Sequence, residues 1–283
     1  MTMERDGASS IRVIVNADDF GYFDGVCQGI IDAAAAGRLT ATGIMANGPA
    51  LERWIGRLLE LPQVSPGVHL NATLGRPLTE EMCVAMSANG GEFPGKGALL
   101  QSILLGRLPA DTLLREWRAQ IRRCLDLGAR PAFLNSHEHI HVLPALYPRV
   151  RKLADEFGIR HVRAPRPEWG PSWSVAGAVR SGSFAITRVL GAQVTRSEPV
   201  LIGTSPSGRM DVNYLRWRFA RLKSGNTYEL MCHPGRNDDL ALKEPKLAAY
   251  HDWEGELETL ESPAFSDLLV EHQIVLVPYE VSR

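Results

Sequence analysis

The stretch Val13-Ile14-Val15-Asn16-Ala17-Asp18-Asp19-Phe20-Gly21 is a short apolar run that ends in two adjacent carboxylates, an aromatic residue and a glycine. That pattern predicts a buried strand delivering its acids to a cleft. Two neighbouring carboxylates repel, and keeping both ionised in a partly dry site is costly unless a cation lies between them or one takes a proton. The pair therefore points to a metal ligand beside a general base. For an arbitrary Asp-Asp the alternative is a solvated loop or a helix N-cap, since caps favour aspartate. Histidine-bearing segments of the same strand-then-polar-tip form lie downstream, and a metal site needs such partners.

Working outward, hydrophobic spacing predicts alternating strands and helices. A helix capped by Asp24 and ending at Gly37 follows the first strand, then a strand over 39–45 and a helix bearing Leu51, Trp54, Ile55, Leu58 and Leu59. The strand over 64–70 ends at His69 and Asn71, and one over 131–134 runs into Asn135-Ser136-His137-Glu138-His139-Ile140-His141. Helices are expected near 111–128, 146–157, 184–190 and 212–222, with strands at 161–164, 200–202, 228–232 and 274–278. The expected fold class is α/β, a distorted barrel of β/α units with active groups at the C-terminal strand ends. An open doubly wound sheet is the competing architecture, and no G-x-G-x-x-G turn follows strand one to support dinucleotide binding. Residues 1–10 read as a disordered segment and 11–283 as one catalytic domain. Punctuated stretches at about 75–108 and 165–180 read as insertions lining the cleft.

A 283-residue chain with 45% hydrophobic and 22% charged residues can build a sizeable core. Its net charge of −1 leaves no electrostatic footprint for nucleic acid. Cys27, Cys83, Cys124 and Cys232 are scattered without C-x-x-C, against a disulfide scaffold or zinc knuckle. No signal-like apolar segment or membrane-length run is visible, so a cytoplasmic enzyme is expected, with a homo-oligomer left open.

Asp18 and Asp19, His69, His137 to His141, and His233 all stand at predicted strand ends. An extended chain would put His137, His139 and His141 on one face, whereas a helical turn would align 137 with 141. Two histidines and a carboxylate with an open position form a common catalytic arrangement for one divalent ion, with zinc, magnesium, cobalt and manganese all compatible.

The motifs Asn16-Ala17-Asp18-Asp19-Phe20-Gly21, Gly67-Val68-His69-Leu70, Ser136-His137-x-His139-x-His141 and Met231-Cys232-His233-Pro234 together resemble the YdjC-like carbohydrate deacetylases. That family includes chitooligosaccharide deacetylases and hopanoid-associated members, and the resemblance runs over roughly residues 11–280. It implies a distorted β/α barrel of the polysaccharide-deacetylase-like type, a divalent metal and removal of an acetyl group from an N-acetylated sugar. Position by position, Asp19, His69 and His137 match the metal ligands, Asp18 the catalytic base and His233 the general acid. Arg163, in Arg163-Ala164-Pro165-Arg166, matches the basic residue near the base. His139, His141, Asn71 and Trp169 are the remaining candidates for contact with substrate or for support of the ligands, and Trp173 and Tyr147 offer further stacking faces. The family often has Asp before the Ser-His pair, where this chain has Asn135. The alternatives are a metal-dependent esterase or phosphoesterase, and a non-catalytic carbohydrate-binding protein on the same barrel.

Overall fold

The computed structural model describes residues 10–280 except 165, 171–174, 190–197 and 239–248. Eight strands, β1 (Ile11–Phe20), β2 (Ala41–Ile44), β3 (Ser65–Leu70), β4 (Phe133–Ser136), β5 (His161–Val162), β6 (Val200–Ile202), β7 (Thr227–Cys232) and β8 (Ile274–Leu276), form one sheet. Its order is β5-β4-β3-β2-β1-β7-β6, with β8 beside β1, and every pairing is parallel. The α/β expectation holds, with one refinement: β5 and β6 do not pair among the described residues, so the sheet is a curled half-barrel and not a closed ring.

Helices join the strands: α1 (Asp24–Ala35), α2 (Leu51–Leu59), α3 (Glu80–Ala85), α4 (Lys96–Leu104), α5 (Ala110–Asp126), α6 (Tyr147–Glu156), α7 (Val175–Val189), α8 (Val212–Phe219), α9 (Trp253–Glu261) and α10 (Pro263–Glu271). Strand side chains alternate between faces, which sorts the sequence into two layers. Val13, Val15 and Ala17 on β1, with Tyr228, Leu230 and Cys232 on β7, join the large core under the helices. The opposite parity faces the barrel interior, where Ile14, Ala41, Phe133 and Tyr279 form an apolar floor. Gly67 makes that floor possible, because a Cβ there would lie 2.4 Å from the Phe133 ring. One step further along the same strands the inward residues become Asn16, Asp18, His69, Asn135, Arg163 and Glu229, all buried. The C-terminal mouth is therefore polar on an apolar base.

Three local expectations need correction. Asp24 is the first residue of α1 and not its cap, and its carboxylate instead accepts from Trp54 Nε1 at 2.6 Å and pairs with Arg53. The 75–108 stretch, read as an insertion without regular elements, contains α3 and α4, and its Met82, Met86, Phe93, Leu99 and Leu108 are part of the main core. The second expected loop turns helical at Val175, where α7 begins, while Trp173 lies outside the described residues, as do 1–9.

Candidate active site and metal centre

The two acids reach one site because β1 is bulged at them. Register with β2 passes from Ala17↔Thr42 to Phe20↔Ile44, so β1 spends two residues where β2 spends one. Asp19 takes up the difference with φ at 71°, a left-handed value that aspartate tolerates better than most residues. In a regular strand adjacent side chains point to opposite faces, and a bulge re-aims one of them. Asp18 and Asp19 consequently both meet His69, Asp18 at 3.8 Å and Asp19 at 3.0 Å.

Asp19 Oδ1 is the focus of the candidate metal centre. His69 Nε2 approaches it at 3.0 Å and His137 Nδ1 at 2.8 Å. The donor atoms of Asp19, His69 and His137 lie within 4.8 Å of one another, and all three residues are buried. The set fits a divalent ion: two donors each about 2.1 Å from a shared centre at right angles stand about 3 Å apart. Asn135 orients one ligand, its Oδ1 lying 2.8 Å from His69 Nδ1. With the Nδ1 proton given to the amide oxygen, the Nε2 lone pair would be available to a bound ion.

The same Asn135 donates through Nδ2 to Asp18 Oδ1 at 2.8 Å. An amide can accept from one neighbour and donate to the other, which an ionised carboxylate cannot do. A carboxylate here would set a third negative charge against Asp18, so Asn135 suits this site. Asp18 also accepts from Asn16 Nδ2 at 2.9 Å and from Arg163 Nη1 and Nη2 at 2.7 and 2.9 Å. Burial pushes its pKa up, but the charge of Arg163, the neighbouring histidines and these hydrogen bonds prevail and hold it below the usual value. Burial opposes ionisation of Asp19 too, and the flanking His137 and His69 bring it well below the ordinary range. Arg163 is itself fixed by Glu229, which accepts from Nε at 2.9 Å and Nη2 at 2.6 Å.

The histidine run adopts neither expected form. A 3-10 segment over His137–Val142 contains two successive left-handed residues, Glu138 at φ 53° and His139 at φ 58°. The sharp turn sends the three rings apart. Of the three, His137 alone joins the metal cluster, while His139 packs edge-on against Phe184 with centroids 5.1 Å apart. His141 lies 2.6 Å from Ser136 Oγ and 2.9 Å from the Arg163 carbonyl, and burial drives its pKa down to about 3. It is a neutral brace for the segment that carries Arg163.

His233 stands just beyond β7, and its pKa is lowered by burial against the pull of Asp19 and Asp18, whose charges reach it. Its backbone N–H donates to Glu256 Oε2 at 2.5 Å, whereas ring Nδ1 is 3.9 Å from that oxygen and has no hydrogen-bond partner among the described residues. Asn71 is spent on local structure: its side chain binds Asn47, the Leu74 carbonyl and the Thr73 and Leu74 amides. Trp169 is 54% exposed, as a stacking platform requires. Sequence reasoning missed Asn16, Glu229 and Glu256. Glu229 left a signal, a lone acid inside the apolar strand Tyr228-Glu229-Leu230.

A half-barrel of parallel strands carries at its mouth a buried Asp-His-His cluster that could hold a divalent ion, beside a second, arginine-held aspartate. Residues 12–271 match the profile of the YdjC-like proteins, and the chain belongs to that family. It is similar to a carbohydrate deacetylase of Geobacillus stearothermophilus, 32% identical over 227 residues that cover 80% of each chain. A chitooligosaccharide deacetylase of Klebsiella pneumoniae (strain 342) is 31% identical over 257 residues, 89% of this chain and 91% of that one. Among solved structures, a candidate cellobiose-phosphate cleavage protein of Enterococcus faecalis V583 superposes with a TM-score of 0.73 at 25% identity, covering 96% of this chain and 98% of that one.

Proposed function

We propose that the protein is a metal-dependent hydrolase that removes the N-acetyl group from an N-acetylated sugar, releasing acetate and a free amine. The observation that carries this reading is the pair of adjacent acids with divided duties, Asp19 toward His69 and His137, Asp18 toward Arg163. Kinship with proteins named carbohydrate and chitooligosaccharide deacetylases supports the substrate class.

Asp19, His69 and His137 would hold zinc, magnesium, cobalt or manganese, and such an ion polarises a carbonyl and brings the pKa of bound water to about 7. Asp18, kept ionised by Arg163, accepts a proton from the attacking water. Glu229 and the His141 brace hold Arg163 in place, so the base does not drift as its charge changes. His233 gives a proton to the departing nitrogen, since an amine anion is a very poor leaving group. Trp169 offers its exposed face to a sugar ring.

The test combines elemental analysis with acetate release from N-acetylated sugars ranging from monosaccharides to chitooligosaccharides, with each of the four metals supplied to stripped protein. Wild type should bind one ion and release acetate, and His69→Ala and His137→Ala should lose both properties. Unchanged metal content in both variants, or turnover without acetate, would overturn the reading.

A further inference from the structure

We propose that His251 is a positioning residue for the acid: its ring holds the His233 ring in the direction from which the proton is delivered. This role rests on the reading of His233 as proton donor and deepens it. The hydrogen bonds of His233 do not orient its ring. They fix the backbone, through the amide that donates to Glu256 Oε2 at 2.5 Å, while ring Nδ1 has no hydrogen-bond partner among the described residues. The last side-chain torsion of a histidine has broad minima, so such a ring points where its packing sends it.

His251 is the ring packed against it. The two centroids are 4.8 Å apart with the planes tilted by 57°, inside the roughly 4.5–7 Å spacing at which aromatic rings pack favourably. Other rings back His251 in turn. Trp253 stacks on it at 5.2 Å with the planes 13° apart, and Tyr250 meets it edge-on at 4.7 Å. Phe23, just before α1, meets Trp253 edge-on at 5.1 Å, and both belong to the main core. Phe23, Trp253, His251 and His233 therefore make a ladder of buried rings that leads from the core to the acid.

The backbone keeps this ladder in register with the site. The Trp253 carbonyl accepts from the amide of Gly235, two residues past His233, at 3.0 Å, and the Asp252 amide donates to the Gly208 carbonyl at 2.7 Å. The Asp252 side chain caps α9 by accepting from the Gly255 amide at 3.1 Å. Gly208 has φ at 84°, and a Cβ there would stand 2.8 Å from the Tyr250 carbonyl oxygen and 3.2 Å from His251 Nδ1. The segment bearing His251 thus closes directly onto a glycine turn on one side and onto the His233 loop on the other. A ring contact restricts rotation of His233 and gives Nδ1 no hydrogen bond, which suits a group that must give up and regain a proton.

The test compares kcat and KM of the full-length, metal-loaded protein on an N-acetylated chitooligosaccharide and on an activated acetyl ester. In parallel, 13C relaxation in histidine-labelled protein follows the His233 ring, its signal assigned by loss in His233→Gln. His251→Ala should keep its metal and its KM, because His251 is outside the Asp19-His69-His137 cluster. Its kcat on the amide should fall about tenfold, the scale of a slightly misplaced reacting group, with a smaller loss on the ester and added motion of the His233 ring. His251→Phe keeps a flat ring and should recover most of the loss in kcat and in ring order. His251→Leu, closer in volume to histidine, replaces the alanine variant if that one fails to fold. Wild-type kcat without the ring, equal losses on ester and amide, or unchanged His233 relaxation would overturn the proposal. A phenylalanine variant as impaired as the alanine one would overturn it too, making His251 a proton carrier instead. No acetate from wild type would sink the deacetylase reading, and the relaxation comparison would still decide whether His251 orients the His233 ring.

Discussion

Asp18 and His233 approach the same mouth from β1 and β7, yet their surroundings are opposite. Four N–H groups, from Asn16, Asn135 and both terminal nitrogens of Arg163, converge on the Asp18 carboxylate. His233 is fixed through its backbone, while ring Nδ1 lacks a hydrogen-bond partner among the described residues. On the proposed reading, Asp18 as a base must be ionised at the start of each cycle, and its donors favour the charged form. His233 as an acid must give up and regain a proton, and its ring Nδ1 has no hydrogen-bond partner among the described residues to hold it in one state. The contrast makes one half of the site rigid and over-satisfied and the other loosely poised.

The largest effect should come from the rigid half. Asp18→Asn keeps the size of the side chain and one acceptor oxygen but cannot take a proton, so turnover should fall about 10² to 10⁴-fold. Metal content should stay at the wild-type level, because Asp19, His69 and His137 are untouched. Near-wild-type acetate release by this variant would assign the base to another residue and dissolve the contrast.

Arg163→Met comes next, because it leaves Asp18 and Glu229 facing a buried, uncharged side chain. Breaking a buried ion pair from one side costs about 3–5 kcal/mol, measurable by urea denaturation at neutral pH. The sign with pH follows from the depressed Asp18 pKa. Wild type gains this stability above the unfolded carboxylate value, about 3.9, and loses it as pH falls through the lower folded value. Arg163→Met should lack that gain, so its deficit should shrink on acidification. A deficit independent of pH would mean that Arg163 contributes packing alone.

On the loosely poised side, His233→Ala should keep its metal and lose about 10²-fold on the sugar amide. On an activated acetyl ester, whose leaving group needs little protonation, the loss should be smaller. Wild-type kcat/KM should fall as pH rises through the His233 pKa, which burial lowers, and the variant should lack that limb. Equal losses on ester and amide would make His233 structural.

Much of this arrangement was legible in the sequence, because strand-end position is a local property. Asp18, His69, His137 and His233 each follow an apolar run whose period-two pattern puts them on the inward face, whereas Asp19 joins them only through the bulge in β1. The opening between β5 and β6 was not legible, since it depends on how far a sheet curls across distant segments. Nor was the turn after His137, where two successive non-glycine residues adopt positive φ against their own preference. Asn135 read as a departure from its family pattern, and only its contacts with both His69 and Asp18 show what an amide does there. In the 75–108 stretch the glycines and prolines hid two short helices, whose apolar residues are buried in the core.

The smallest effect expected is at Glu256, and it asks whether the support behind His233 is a charge or a shape. Glu256 accepts from the His233 amide at 2.5 Å and from the Met210 amide at 3.1 Å, through different oxygens. Burial, with little opposing charge, raises its pKa to about 7. A carboxyl group whose folded pKa exceeds its unfolded value contributes stability that is complete below the unfolded pKa and lost as pH rises through the folded one. Wild type should therefore lose stability from about pH 4.5 to about pH 7, a window set by the ordinary and raised values. Glu256→Gln cannot titrate, so its melting temperature should lack that decline. Its NH2 group must also face one of the two amides that the carboxylate served, which costs about 1–3 kcal/mol at acidic pH. The wild-type and variant curves should accordingly differ most near pH 4.5 and converge toward pH 8. Because Glu256 reaches the His233 backbone and not hydrogen-bond distance of its ring, kcat should fall only a few-fold, with the basic limb of the pH profile in place. Loss of that limb in Glu256→Gln would show instead that Glu256 sets the protonation of the ring, and that the acid half is as tightly governed as the base.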